Sequence, residues 1–120
     1  MPTPSAAELA ELVQEGRVVM LGPVRQELLS GISEPKTYET LRDSLKAFSD
    51  LPLEEEDYEQ AASFFNRCRA KGVQGSNTDF LICAVAYRRG LAILTTDADF
   101  DRYAELLTLH LHTPRAATLR

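Results

Sequence analysis

Between Ser76 and Gly90 the sequence runs Asn-Thr-Asp-Phe-Leu-Ile-Cys-Ala-Val-Ala-Tyr-Arg-Arg, and this segment constrains the fold more than any other. Ser76-Asn-Thr78 caps a helix and Gly90 terminates it. Phe80 to Tyr87 is almost wholly apolar, and a helix apolar around most of its circumference is buried on more than one side. It leads directly into Leu91-Ala-Ile-Leu94, which reads as a buried strand.

The rest of the chain repeats this alternation. Ser5 to Gln14 predicts a helix with a Ser5/Glu8 capping box, and Arg17-Val-Val-Met-Leu21 predicts a short strand. Gly22-Pro23 restarts a helix over Val24 to Ser30, with Pro where a missing N–H costs nothing. Pro35 opens a third helix through Leu41, Leu45 and Phe48, and Leu51-Pro-Leu53 is a weak strand candidate. Glu54-Glu-Glu-Asp57 favours the start of a long helix ending at Gly72, and the acids there read as a solvated helix start. A loop from Thr95 to Phe100 leads into a short helix, and Thr108 to His112 alternates in the manner of an exposed-edge strand. Helices alternating with short apolar strands give an α/β fold with a mostly parallel sheet and helices on its faces. With 120 residues, 44% of them hydrophobic, the chain fits a single domain over 1–120.

Composition narrows the function classes. No apolar run approaches the roughly 20 residues needed to cross a bilayer, and Met1-Pro-Thr-Pro-Ser lacks the start of a secretory signal. Cys68 and Cys83 show no zinc spacing and read as reduced, packed thiols. A cytoplasmic protein without membrane partners is the expectation. The formal charge of −5 argues against a broad nucleic-acid-coating surface. Arg67, Arg69 and Lys71, like Arg88 and Arg89, read as complements to helix C-terminal dipoles, with a substrate-binding role as the compatible alternative. His110 and His112 read as surface residues of an edge strand. There is no phosphate-binding loop, and Gly72, Gly75 and Gly90 read as turn or cap glycines.

The acids are more specific. In a βαβ unit, helix N-termini and strand C-termini share one edge of the sheet, where open α/β folds bind ligands. Glu27 lies early in the helix after strand 17–21, Asp79 starts the buried helix, and Asp97 and Asp99 follow strand 91–94. All are therefore expected on one edge. Asp79, Asp97 and Asp99 each also have an ordinary role as helix-capping residues. Carboxylates without His or Cys suit a hard cation, Mg²⁺ or Mn²⁺, which activates water and offsets charge on a phosphoryl oxygen.

At these residues the sequence resembles the PIN-domain ribonucleases, particularly the VapC-type toxins of bacterial toxin–antitoxin pairs. Three stretches in order carry the likeness: Gly22-Pro-Val-Arg-Gln-Glu-Leu-Leu-Ser-Gly31, Thr78-Asp-Phe-Leu-Ile-Cys-Ala-Val-Ala86 and Leu94-Thr-Thr-Asp-Ala-Asp-Phe100. The resemblance implies a three-layer α/β/α fold and a metal-dependent endoribonuclease acting on structured RNA such as tRNA. It also implies a homodimer neutralised by an antitoxin protein. Glu27, Asp79 and Asp97 match the family's catalytic, metal-binding acids; Asp99 matches a further metal-site acid and Thr95 a supporting hydroxyl.

The likeness departs at the start. The family opens with a short apolar strand, central in the sheet and ending in a metal-binding Asp. Here Met1-Pro-Thr-Pro leads straight toward a helix, and no Asp precedes Asp43. The central first strand is thus expected to be missing from this chain, through truncation, through degeneration, or because another chain supplies it. The competing function is a catalytically impaired binding module that engages an antitoxin or a second copy of itself. A phosphoacceptor or phosphatase site at Asp97-Ala-Asp99 ranks third, since no well-placed Lys follows.

Overall fold

The computed structural model describes residues 18–93, 95 and 97–111. The helix expected over Ser5 to Gln14, Arg17 at the start of strand 17–21, Leu94 at the end of strand 91–94, and His112 lie outside the described residues, as do all residues before Val18, on which the expected absence of a central first strand rests. The described elements are five helices: α1 Gly22–Leu29, α2 Pro35–Leu45, α3 Glu55–Ala70, α4 Asn77–Arg89 and α5 Asp99–Leu107. They fall into two compact units, one being Val18–Leu53 and the other holding the residues from Glu54 onward.

In Val18–Leu53, α1 begins two residues earlier than the sequence suggests, at Gly22, with Pro in its first turn. The Glu34 carboxylate caps α2, accepting from the backbone N–H of Lys36 at 3.1 Å and Thr37 at 2.7 Å. This helix ends at Leu45 rather than Phe48 because Arg25 takes over its C-terminal carbonyls. The guanidinium donates to the carbonyls of Leu45 at 3.0 Å and Phe48 at 2.5 Å, and to Asp50 Oδ1 at 2.8 Å. A cation at that end also suits the helix dipole. Met20 and Asp50 form an isolated parallel bridge, with Leu51 N–H donating to the Met20 carbonyl at 2.8 Å.

In the unit from Glu54 onward, α3 and α4 form a packed antiparallel hairpin that holds the core. Phe64 and Cys68 of α3 meet Phe80, Cys83, Ala84 and Ala86 of α4, and Phe100, Tyr103 and Leu107 of α5 complete the cluster with Ile93. Six residues of α4 are buried, as its apolar circumference requires. Gly90 ends it in the left-handed conformation at φ 66°, where a side chain would be strained.

The expected strands are represented by single ladder contacts. Ile93 bridges Leu111 in parallel, with Ile93 N–H donating to the His110 carbonyl at 3.0 Å. Both bridges are parallel and both enclose helices, the connection that βαβ units make. Among the described residues, however, neither extends into a strand. Thr108, expected to open an edge strand, instead caps α5 with φ 54°. The acid run opening α3 is also not wholly solvated: Asp57 is fully buried.

Candidate active site

Asp79 stands in the first turn of α4, where the Ser76 hydroxyl oxygen accepts its backbone N–H at 3.0 Å. That is the cap expected from the sequence. The Asp79 carboxylate is half-buried and has a partner the sequence did not indicate: the Tyr103 hydroxyl donates to its Oδ2 at 3.0 Å. Tyr103 is 0% exposed, wedged between Phe80 and Phe100 with ring centroids 4.9 and 5.1 Å away. Burial, the bond to Asp79 and the charges of Asp79 and Asp99 together hold the phenol well above its usual pKa. It therefore stays a protonated donor throughout the neutral range.

The second acid segment starts α5. Asp97 Oδ1 accepts the Asp99 backbone N–H at 2.9 Å, while the Asp97 N–H donates to Thr95 Oγ1 at 3.0 Å. Thr95, Asp97 and Asp99 thus form one hydrogen-bonded turn at a helix N-terminus, where negative charge is favoured. Tyr103 lies one turn further along the same helix. Its phenol links this turn to Asp79 and feels the charge of Asp99. The structure accordingly gives two hydrogen-bonded groups, Asp79 with Tyr103 and Thr95 with Asp97 and Asp99, the second lying in the turn that opens Tyr103's own helix. Glu27 is exposed on α1, in the unit Val18–Leu53.

Gly75 completes the arrangement. A Cβ there would lie 2.2 Å from the Tyr103 hydroxyl oxygen and 2.8 Å from its Cζ. Gly75 is thus needed for space, in contrast to Gly72 and Gly90, which adopt positive φ. Tyr103 and Gly75 are the site features missed by sequence reasoning. The signal for Tyr103 was its spacing with Phe100 and Leu107 on the core face of a helix.

The oxygen-only donor set of Asp79, Asp97 and Asp99 has the right chemistry for Mg²⁺ or Mn²⁺. Among the described residues, no three His, Cys, Asp or Glu side chains gather closely enough to hold a metal ion. The described geometry therefore supplies preset carboxylates and not a finished coordination shell.

The PIN domain family model matches residues 2–106. This chain belongs to the PIN-domain family. It is of the VapC type: it is 33% identical over 109 residues to VapC ribonuclease Mb1587 of Mycobacterium bovis and to ribonuclease VapC11 of Mycobacterium tuberculosis, alignments covering 88% of this chain and 81% of each relative. PIN-domain membership gives the α/β class, to which the described residues contribute helices and two parallel bridges. Both acid segments joined by Tyr103 fall within the matched PIN-domain region.

Proposed function

We propose that this PIN-domain chain is an endoribonuclease, the toxin of a type II toxin–antitoxin pair, hydrolysing phosphodiester bonds of a structured RNA such as tRNA. The observation that carries the reading is the connection of Asp79 to the Asp97–Asp99 turn through Tyr103. In this reading Glu27, Asp79 and Asp97 are the catalytic carboxylates, Asp99 joins them toward a divalent cation, and Thr95 supports their turn. The cation is Mg²⁺ or Mn²⁺, which when bound supplies Lewis acidity and an activated water. The chain's own groups orient the acids. Ser76 and Tyr103 fix Asp79 from two sides, and the Asp99 N–H fixes one oxygen of Asp97.

The same reading includes an antitoxin protein covering the site, pairing of two copies, and action in the cytoplasm. No described helix is long and apolar enough to cross a membrane. The test is cleavage of structured RNA with and without Mn²⁺ by the unaltered chain, Asp79→Asn and Asp97→Asn. Mn²⁺-dependent cleavage lost in both variants is expected; cleavage retained in both sinks the assignment. An impaired binding module would cleave nothing, and its partner binding would survive both substitutions.

A further inference from the structure

We infer that Tyr103 is a positioning residue for Asp79 and that Gly75 is required to seat its hydroxyl, an inference that rests on the nuclease reading of Asp79. The phenol has one proton to donate and two acceptors near it, Asp79 Oδ2 at 3.0 Å and the Gln74 carbonyl at 3.4 Å. The shorter bond to a charged acceptor takes it. Its ring cannot turn away to water, because it is fully buried between Phe80 and Phe100. The hydroxyl also cannot retreat toward residue 75, where even a methyl group would overlap it.

One oxygen of Asp79 is thereby pinned while the other stays available. A buried tyrosine commonly needs a partner, and a backbone carbonyl would satisfy that need. Here the acceptor is instead the carboxylate of one acid segment, and the donor belongs to the helix started by the other, Asp97 and Asp99. A single O–H therefore sets how the first turn of α4 meets the first turns of α5. Loss of that bond frees the Asp79 side chain to turn without emptying the core, and misplacing a reacting group by about 1 Å can cost about 100-fold in rate.

The experiment compares the unaltered chain with Tyr103→Phe, which keeps the ring, and Gly75→Ala, which keeps the hydroxyl but displaces it. RNA cleavage in Mn²⁺ is expected to fall at least about tenfold in kcat in both variants, with KM within about twofold. In the metal-free chain, the carboxylate carbon resonance of Asp79 is expected to move in both variants while that of Asp97 does not. Unchanged kcat with an unmoved Asp79 resonance in either folded variant would overturn the inference. Should the unaltered chain cleave no RNA, the nuclease reading falls, and the Asp79 resonance still decides the contact: moved, it upholds the positioning of Asp79 by Tyr103; unmoved, it overturns it.

Discussion

Arg89 reaches back 32 residues to Asp57, its Nη2 donating to Oδ2 at 2.8 Å. Arg88 donates to the other carboxylate oxygen at 2.5 Å, and the Glu54 N–H adds a bond to Oδ2 at 2.8 Å. Glu54 and Glu56 approach the guanidinium groups at 3.9–4.0 Å and offset their excess charge. The start of α3 is thus tied to the end of α4 by a fully buried carboxylate. Removing Asp57 takes away the short bonds of both guanidinium groups to its carboxylate, leaving the longer contacts to Glu54 and Glu56, and empties a buried position. Asp57→Ala is expected to lower the unfolding free energy by about 3 kcal/mol in urea titrations. A loss under about 1 kcal/mol would show that the pairing contributes little.

The same cluster sets an acid limit. Burial pushes the Asp57 carboxyl up, but the Glu54 N–H and the two guanidinium groups outweigh it and hold it below the ordinary carboxylate range. The folded value then lies below the unfolded one, about 3.9. The contribution is complete above that pH and is lost as pH falls through the folded value. Melting temperature followed from about pH 7 to about pH 2 should stay level in the upper range and fall steeply below about pH 4. The fall should be shallower in Asp57→Asn. Equal slopes would assign the acid limit to other carboxylates.

Gly72 and Gly75, three residues apart, should respond to alanine for different reasons. Gly72 has φ 79° and open space around its Cα, so Ala there meets only backbone strain, about 1 kcal/mol. Gly75→Ala overlaps the Tyr103 hydroxyl and should cost about 1–3 kcal/mol. Tyr103→Phe removes the nearest overlapping atom, so the Gly75→Ala cost should shrink in that background while the Gly72→Ala cost does not. Denaturant titration of the two double variants measures this, and equal additivity in both would exclude the steric explanation.

Cys68 and Cys83 are free thiols with 0% exposure. Burial, with the Asp79 charge next, pushes the Cys83 thiol up to about 12, and burial raises Cys68 as well. Since the thiolate is the reactive form, an aromatic disulfide reagent at about pH 8 should leave the native chain unlabelled and modify both cysteines in denaturant. Rapid labelling of the native chain would mean that the α3–α4 hairpin opens readily.

Local signals were the legible ones. Ser76 and Gly90 bracket α4 as expected because a cap and a left-handed terminator act within a few residues. Asp79 and Asp97 could be placed at helix starts on the same grounds. Asp57 could not be read correctly, since an acid four residues into a charged run resembles a solvated one until Arg88 and Arg89 fold against it. Tyr103 and Gly75 were hidden for the same reason: their relationship joins residues 28 apart and depends on how α5 lies against α4. The expected parallel pairing survives at Met20–Asp50 and Ile93–Leu111, but apolar composition alone did not fix how far each ladder runs.

Asp97 has two separable tasks, and substitution can divide them. Its Oδ1 accepts the Asp99 N–H at 2.9 Å, which stabilises the start of α5, and its charge is the property the nuclease reading needs. Asparagine keeps an Oδ1 in the same place but carries no charge. Asp97→Asn should therefore unfold within about 0.5 kcal/mol of the unaltered chain, whereas Asp97→Ala, which lacks the acceptor, should lose about 1 kcal/mol. Cleavage of RNA in Mn²⁺ should instead disappear in both. Stability loss and activity loss would then follow different orders across the two variants, as expected when the cap and the chemistry share one carboxylate. If Asp97→Asn still cleaves RNA while Asp97→Ala does not, the residue acts only through the hydrogen bond that closes the turn before α5, and the catalytic assignment of Asp97 has to be withdrawn.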